Sequence, residues 1–310
     1  MEWLDLKRIS ALLMEAGANG AQVEEIGQSS QQRPLYSVTI GDKNPDYTIT
    51  ALAGMHASEV VGSLALLELI SQLVSEVPHR VRYHFVPVAD PDFLAQNTEQ
   101  LSKPVTLAKL LSLQFVRDLE GNFNSNSYLE CQAIRGWLEK LPRIDAFFSL
   151  HTAHCVAPGL FFYVAGSSLE CIASVAAQIT AQRPSQIPLL KYDPTAVSHS
   201  PLFPGFFKIP TAAQMNFSDG LNRSQTSIEF VARKFNPYFI GVSEMPLGIC
   251  TALRNSSLEE IERFNQKIAH TALVDLPYKE IDLQTQIDLL IAFVQAPIRY
   301  LLQMPKATSR

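Results

Sequence analysis

Charge is scarce in this 310-residue chain: Asp, Glu, Lys and Arg make up 18% of it, against 47% apolar residues. Disordered chains show the opposite balance, so this one has the apolar content to fold around a large core. Basic residues are outnumbered, and the net charge is −5. A protein that holds nucleic acid by its phosphates needs a basic face, which this balance does not offer. Cysteine is sparse too, with four residues and no CxxC pair. That excludes a disulfide scaffold and fits a cytosolic setting. Glycine (14) and proline (19) follow no period, which excludes collagen-like repeats. Long apolar runs are also missing. The most apolar stretch, Leu289–Met304, is interrupted by Gln295, Pro297, Arg299 and Gln303. It is shorter than the roughly 20 residues of a spanning helix, so no membrane association is expected. The N-terminus mixes acids and bases among its apolar residues, unlike a signal peptide. No GxGxxG, P-loop or GxSxG motif occurs, which leaves nucleotide binding and serine hydrolysis without support.

What the sequence has is alternation of strand and helix. Trp3–Glu15 carries Leu4, Leu6, Ile9, Leu12 and Leu13 near helical spacing. Leu35–Gly41, Tyr47–Ala53, Val81–Ala89, Ile144–Leu150 and Gly159–Ala165 read as strands. Ser58–Val77, Tyr128–Leu141 and Leu169–Ala181 read as helices, the first with Ser58 as N-cap. Phe93–Ser127 reads as irregular, apart from a helix near Thr106–Leu113. SIEFVAR (Ser227–Arg233) and PYFIGVSE (Pro237–Glu244) read as strands, and helices over Ser257–Leu276 and Glu280–Met304 close the chain. The pattern predicts one α/β domain, a three-layer α/β/α sandwich around a mixed, mostly parallel sheet. Residues 1–34 are expected as a helical extension, and 277–310 as a C-terminal helix. In such sheets ligands bind at the carboxyl ends of the strands.

Few polar residues fall at those ends. Tyr47–Ala53 runs on to His56 and Glu59, Ile144–Leu150 into His151, and the Tyr238–Val242 strand to Glu244. Two imidazoles and one carboxylate are a zinc donor set that leaves one position open. A further carboxylate outside that set can serve as proton acceptor. Each residue alone has an ordinary reading: Glu59 suits a helix N-terminus, and a lone histidine is commonly structural. Glu244, in phase with Tyr238, Ile240 and Val242, is an odd charge to find at the end of an apolar strand.

Six segments, in order, resemble motifs of the zinc carboxypeptidase family, including its branch with succinylglutamate desuccinylase and aspartoacylase. GMHASE (Gly54–Glu59) resembles the HxxE zinc motif. ADPDF (Ala89–Phe93) is similar to the Asn-Pro-Asp-Gly turn, and DLEGNF (Asp118–Phe123) to the Asp-Leu-Asn-Arg-Asn-Phe segment. ECQAIRGWLEK (Glu130–Lys140) resembles the Pro-Glu-Thr-Gln-Ala helix. SLHTA (Ser149–Ala153) and VSEMP (Val242–Pro246) are similar to the strand ends that bear the third ligand and the catalytic glutamate. The resemblance runs from about Tyr47 to Gly248. It implies one Zn²⁺ held by His56, Glu59 and His151, with Glu244 as general base and later acid. Asp118 is then the carboxylate that steadies His56.

The departures matter as much. The family's Asn-Arg pair, which grips a terminal carboxylate, falls on Glu120 and Gly121. A carboxylate there is expected to repel another, so either another arginine has taken the role or the substrate has no free carboxylate at that place. Arg223 is the first choice among Arg117, Arg135, Arg223 and Arg254. Arg117, beside Asp118, is a further candidate for polarising the scissile carbonyl, and Arg135 is expected in a surface ion pair. His154, Cys155, Tyr192 and His199 are read as bystanders. The expectation is a cytosolic zinc-dependent amide hydrolase acting as a carboxypeptidase-like peptidase. The alternatives are a deacylase of small N-acyl amino acids and a catalytically silent ligand-binding relative. The expected partner is a peptide or N-acyl amino acid substrate, with no nucleic acid and no membrane.

Overall fold

The computed structural model describes residues 5–100, 106–113, 116–153, 155–192, 201–270 and 273–304. In chain order the elements are α1 (Leu6–Ala18), β1 (Gln22–Gln28), β2 (Pro34–Gly41), β3 (Tyr47–Ala53), α2 (Val60–Ser75), β4 (Val81–Val86), α3 (Pro91–Gln100), α4 (Leu107–Leu111), α5 (Leu129–Lys140), β5 (Ala146–Thr152) and β6 (Val156–Ala157). There follow β7 (Phe161–Ala165), α6 (Leu169–Gln182), β8 (Phe206–Lys208), α7 (Ala212–Asp219), α8 (Ser227–Phe235), β9 (Phe239–Met245), β10 (Gly248–Ile249), α9 (Leu258–Ala269), β11 (Lys279–Glu280) and α10 (Leu283–Leu301). His154 and His199 lie outside the described residues.

β3 and β5 are buried at every position, as strands must be when helices cover both faces of a sheet. The eight-stranded sheet has the order β1-β2-β4-β3-β5-β9-β7-β8. Its centre, from β4 through β3 and β5 to β9, is parallel, while β2 pairs antiparallel to β4 and β7 antiparallel to β9. Helices α1, α2, α6 and α10 pack over one face, and α5 and α8 over the other, each side with its own apolar cluster. The expected three-layer α/β/α architecture with a mixed, mostly parallel sheet is therefore what the chain adopts. Gly241 shows how closely α10 seats: a Cβ there would come within 2.5 Å of the Phe293 ring. The apolar stretch read as core-facing belongs to α10, which buries Leu289, Leu290, Ile291, Phe293 and Val294. Among the described residues no helix is long and apolar enough to cross a membrane.

Three readings are corrected. SIEFVAR is not a strand but α8. Thr226 accepts from Glu229 N–H while the Glu229 side chain accepts from Thr226 N–H, a capping box legible as Thr-x-x-Glu. Ile228, Val231 and Phe235 have helical spacing. Residues 1–34 are not wholly helical either. QVEEIGQ forms the edge strand β1, paired antiparallel to β2. Its acids, which hid the strand pattern, are what an exposed edge tolerates. Within Phe93–Ser127, expected as mostly irregular, α3 begins at Pro91, a residue suited to the first helical turn.

Candidate metal centre

β3 ends at Ala53, and Gly54 turns the chain with φ 74°, a left-handed conformation glycine adopts without strain. The turn delivers His56, and Glu59 becomes the residue that caps α2. Ser58 is not the cap. Glu59 makes no side-chain bond to its own helix because its carboxylate is engaged elsewhere. Its Oε1 lies 2.9 Å from His56 Nδ1 and its Oε2 2.8 Å from His151 Nδ1, and Thr152 N–H donates to Oε2 at 3.2 Å. Helix α2 can approach β5 this closely because of Gly62, where a Cβ would sit 2.8 Å from the Leu150 carbonyl oxygen. The His56 and His151 ring centroids are 4.8 Å apart. One donor atom from each of His56, Glu59 and His151 lies within 4.8 Å of the others. Two imidazole nitrogens and a carboxylate oxygen converging at this range fit a zinc ion.

The electrostatics suit a cation. Burial lowers the His56 imidazole, but Glu59 and Asp118 outweigh it and raise the group to about 10. His151 is likewise raised well above its ordinary value: burial opposes, while Glu59 and Glu120 prevail. Glu59 is held far below the usual carboxylate range, because the two histidines overcome the effect of its burial. His56 Nε2 lies 3.2 Å from Asp118 Oδ1, as the resemblance implied for a steadying carboxylate. Glu244, half-buried, is the register partner of His151 across β5 and β9. Burial pushes its carboxyl up to about 7, with His151 opposing and Glu59 adding.

The arginines separate clearly. Arg117 is not offered to a ligand. Its guanidinium donates to Asp90 at 2.7 and 2.9 Å and to Glu130 at 2.5 Å, and lies over Phe93 and Tyr128. The expectation that it polarises a carbonyl is thus corrected: two carboxylates and two aromatic rings hold it in a structural cluster. Among the described residues Arg135 forms no surface ion pair but donates to the carbonyls of Phe123 and Ser125 and to the Asn126 side chain, bracing that loop. Arg254 is exposed on the 3₁₀ turn Thr251–Asn255.

Arg223 reaches the centre. The segments around Gly121 and Arg223 are zipped together by Ser224 N–H to Gly121 O at 2.9 Å and Phe123 N–H to Gln225 O at 3.1 Å. Asn216 clamps the Arg223 backbone through both its N–H and its carbonyl. The Arg223 chain then runs over Gly121, where a Cβ would meet its Cγ at 2.6 Å, and its Nε lies 3.4 Å from Asp118. The space that a side chain at 121 would fill is filled from another loop.

Glu120 lies inside the protein. It is 8% exposed and turned inward, toward Ser149, Ser227 and His151. The reading of it as a repelling charge is corrected: the turn at Leu119–Gly121 points its side chain toward Ser149 and His151. Ser149 was overlooked. Its position two residues before His151 on one strand places both on one face, and that alternation was the available signal.

The sequence model of the zinc carboxypeptidase family matches residues 10–102, the part that contains His56 and Glu59. Solved structures agree over nearly the whole chain. A metallo-carboxypeptidase from Burkholderia cenocepacia superposes with TM-score 0.60 at 17% identity, over 96% of this chain and 69% of that one. A metallo-carboxypeptidase from Pseudomonas aeruginosa, in complex with (2-guanidinoethylmercapto)succinic acid, gives 0.56 at 13%, over 97% and 70%. Bovine thrombin-activatable fibrinolysis inhibitor gives 0.59 at 11%, over 97% and 98%. No curated protein matches the chain. Fold and donor set together define a zinc-carboxypeptidase-like α/β protein. The family match at 10–102 covers the first two of the six motifs, and over the remainder the solved structures share the fold.

Proposed function

We propose that the protein is a zinc-dependent hydrolase of an amide bond, acting on a peptide or an N-acyl amino acid that carries a carboxylate. The observation that supports this best is the convergence of His56, Glu59 and His151 donors within 4.8 Å, with Glu244 in register beside His151. One zinc ion held by those three residues would supply Lewis acidity to the scissile carbonyl and to water. Glu244 accepts the proton of the attacking water and passes it to the leaving amine, and a carboxyl near 7 is suited to both transfers. Asp118 keeps the His56 ring oriented. Arg223 takes the place of the anchoring arginine missing at 121, where its guanidinium can pair with a carboxylate. A structural neighbour solved with a succinic acid derivative is consistent with such a ligand.

A zinc-loaded panel tests the reading: peptides with free or amidated C-termini beside N-acyl amino acids. Hydrolysis is expected for substrates with a free carboxylate, with Arg223→Ala raising KM more than it lowers kcat. Cleavage confined to N-acyl amino acids would identify the deacylase alternative. Stoichiometric zinc with no hydrolysis across the panel would identify a ligand-binding relative and overturn the proposal.

A further inference from the structure

Glu120 is buried, and its carboxylate is surrounded by hydrogen-bond donors. Its Oε1 accepts from Ser227 N–H at 2.7 Å, at the first turn of α8. The Ser227 hydroxyl lies 2.7 Å from Oε1 and 2.9 Å from Oε2. The Ser149 hydroxyl donates to Oε2 at 2.9 Å, and Ser149 Oγ lies 2.9 Å from His151 Nε2. Glu120 Oε2 itself is 3.7 Å from that nitrogen. A backbone N–H and two serine hydroxyls all point at the Glu120 oxygens, and a carboxylate that only accepts is what such surroundings suit.

The direction of this chain follows from donor counting. An ionised carboxylate can only accept. Ser149 has one proton, and it goes to Glu120, so Ser149 Oγ is left to accept from His151. The proton of the neutral imidazole then sits on Nε2, and Nδ1 presents a lone pair toward Glu59 and the metal position. We infer that Glu120, acting through Ser149, is a positioning residue that fixes the metal-binding tautomer and ring orientation of His151. This rests on the metal-site reading above. It gives the centre two outer carboxylates: Asp118 behind His56 and Glu120 behind His151. The glutamate that removes an anchoring residue from the pocket strengthens a ligand instead. An amide at 120 can donate to Ser149, which releases the serine proton toward Nε2 and sends the imidazole proton to Nδ1, the wrong side.

The test is zinc affinity, measured by chelator competition on the native chain, Glu120→Gln, Ser149→Ala and the double variant, together with the visible spectrum of the cobalt-substituted proteins. Either single change is expected to weaken zinc binding roughly 10–100-fold and to alter the cobalt spectrum. The double variant is expected to be no weaker than the worse single, because both act along one chain. Ser149→Ala keeps the Ser227 contacts of Glu120, so it reports on the relay even if Glu120→Gln folds poorly. Unchanged affinity in both single variants would overturn the inference, as would losses that simply multiply in the double. Failure of the native chain to bind zinc at all would instead overturn the metal-site reading and this inference with it.

Discussion

His151 and Glu244 are register partners on adjacent parallel strands, with β5 and β9 paired from Ala146–Phe239 to Thr152–Met245. Neighbouring strands lie about 4.8 Å apart, and partners in register share a face. A backbone ladder, not a flexible loop, therefore sets the spacing between the proposed ligand and the proposed base.

That spacing makes Glu244→Gln informative. The amide keeps the shape of the side chain but cannot take a proton. Zinc content by elemental analysis is expected to stay stoichiometric while kcat falls by about 10²–10⁴-fold. A variant with native turnover would remove Glu244 from the mechanism.

Metal binding should depend steeply on pH. In the metal-free protein His56 titrates at about 10 and His151 well above its ordinary value. A cation must displace those protons, so zinc affinity is expected to rise from pH 6.5 to 8.5, roughly tenfold per unit for each proton released. The sign for folding is the opposite. The raised His56 value stabilises the metal-free fold fully below the unfolded value of 6.5 and is lost as pH rises through about 10. Zinc titrations at several pH values that gave one constant affinity would contradict this.

His84 makes the fold acid-sensitive. It is 6% exposed, its Nδ1 lies 3.0 Å from Thr39 Oγ1, and burial lowers the imidazole to about 4, helped by Arg82. The unfolded chain takes up this proton near 6.5, so stability is full above 6.5 and falls as pH drops to about 4. The loss attributable to this group is about 3 kcal/mol. Urea unfolding across that range should show a smaller decline for His84→Gln than for the native chain. Equal declines would show that other groups carry the acid sensitivity.

Phe293 joins α10 to the sheet. Its ring centroid lies 4.4 Å from Phe162, 5.2 Å from Phe148 and 5.9 Å from Phe239. Phe293→Ala is expected to cost about 3–5 kcal/mol in denaturant unfolding while leaving zinc stoichiometry intact, since the ring lies on the face away from α8. A loss under 1 kcal/mol would mean the neighbouring rings close the gap.

Much of the fold was legible in the residues. Tyr47–Ala53 matches β3, because seven consecutive strand-forming or small residues followed by glycine leave little choice. SIEFVAR was misread because Ile, Phe and Val favour strands, while the deciding signal was the Thr226–Glu229 box at its start. QVEEIGQ was missed because an edge strand with one partner need not be apolar. At the centre, His56, Glu59, His151, Asp118 and Glu244 could be named from strand ends and motif order. Arg223 ranked first among four arginines, but only packing separates it from Arg117, whose guanidinium is taken up by Asp90 and Glu130.

The sequence alone determined an apolar-rich α/β chain, the central strands and most of the helices, and the donors that strand ends bring forward. Those are local properties: periodicity, caps and the residues that follow a strand. Only the tertiary structure decided that Arg117 is held by Asp90 and Glu130, that Arg223 crosses Gly121, and that Glu120 turns inward to Ser149. Those outcomes depend on which loops pack together across long stretches of chain, and on burial, which decides whether a charge meets a partner or a ligand.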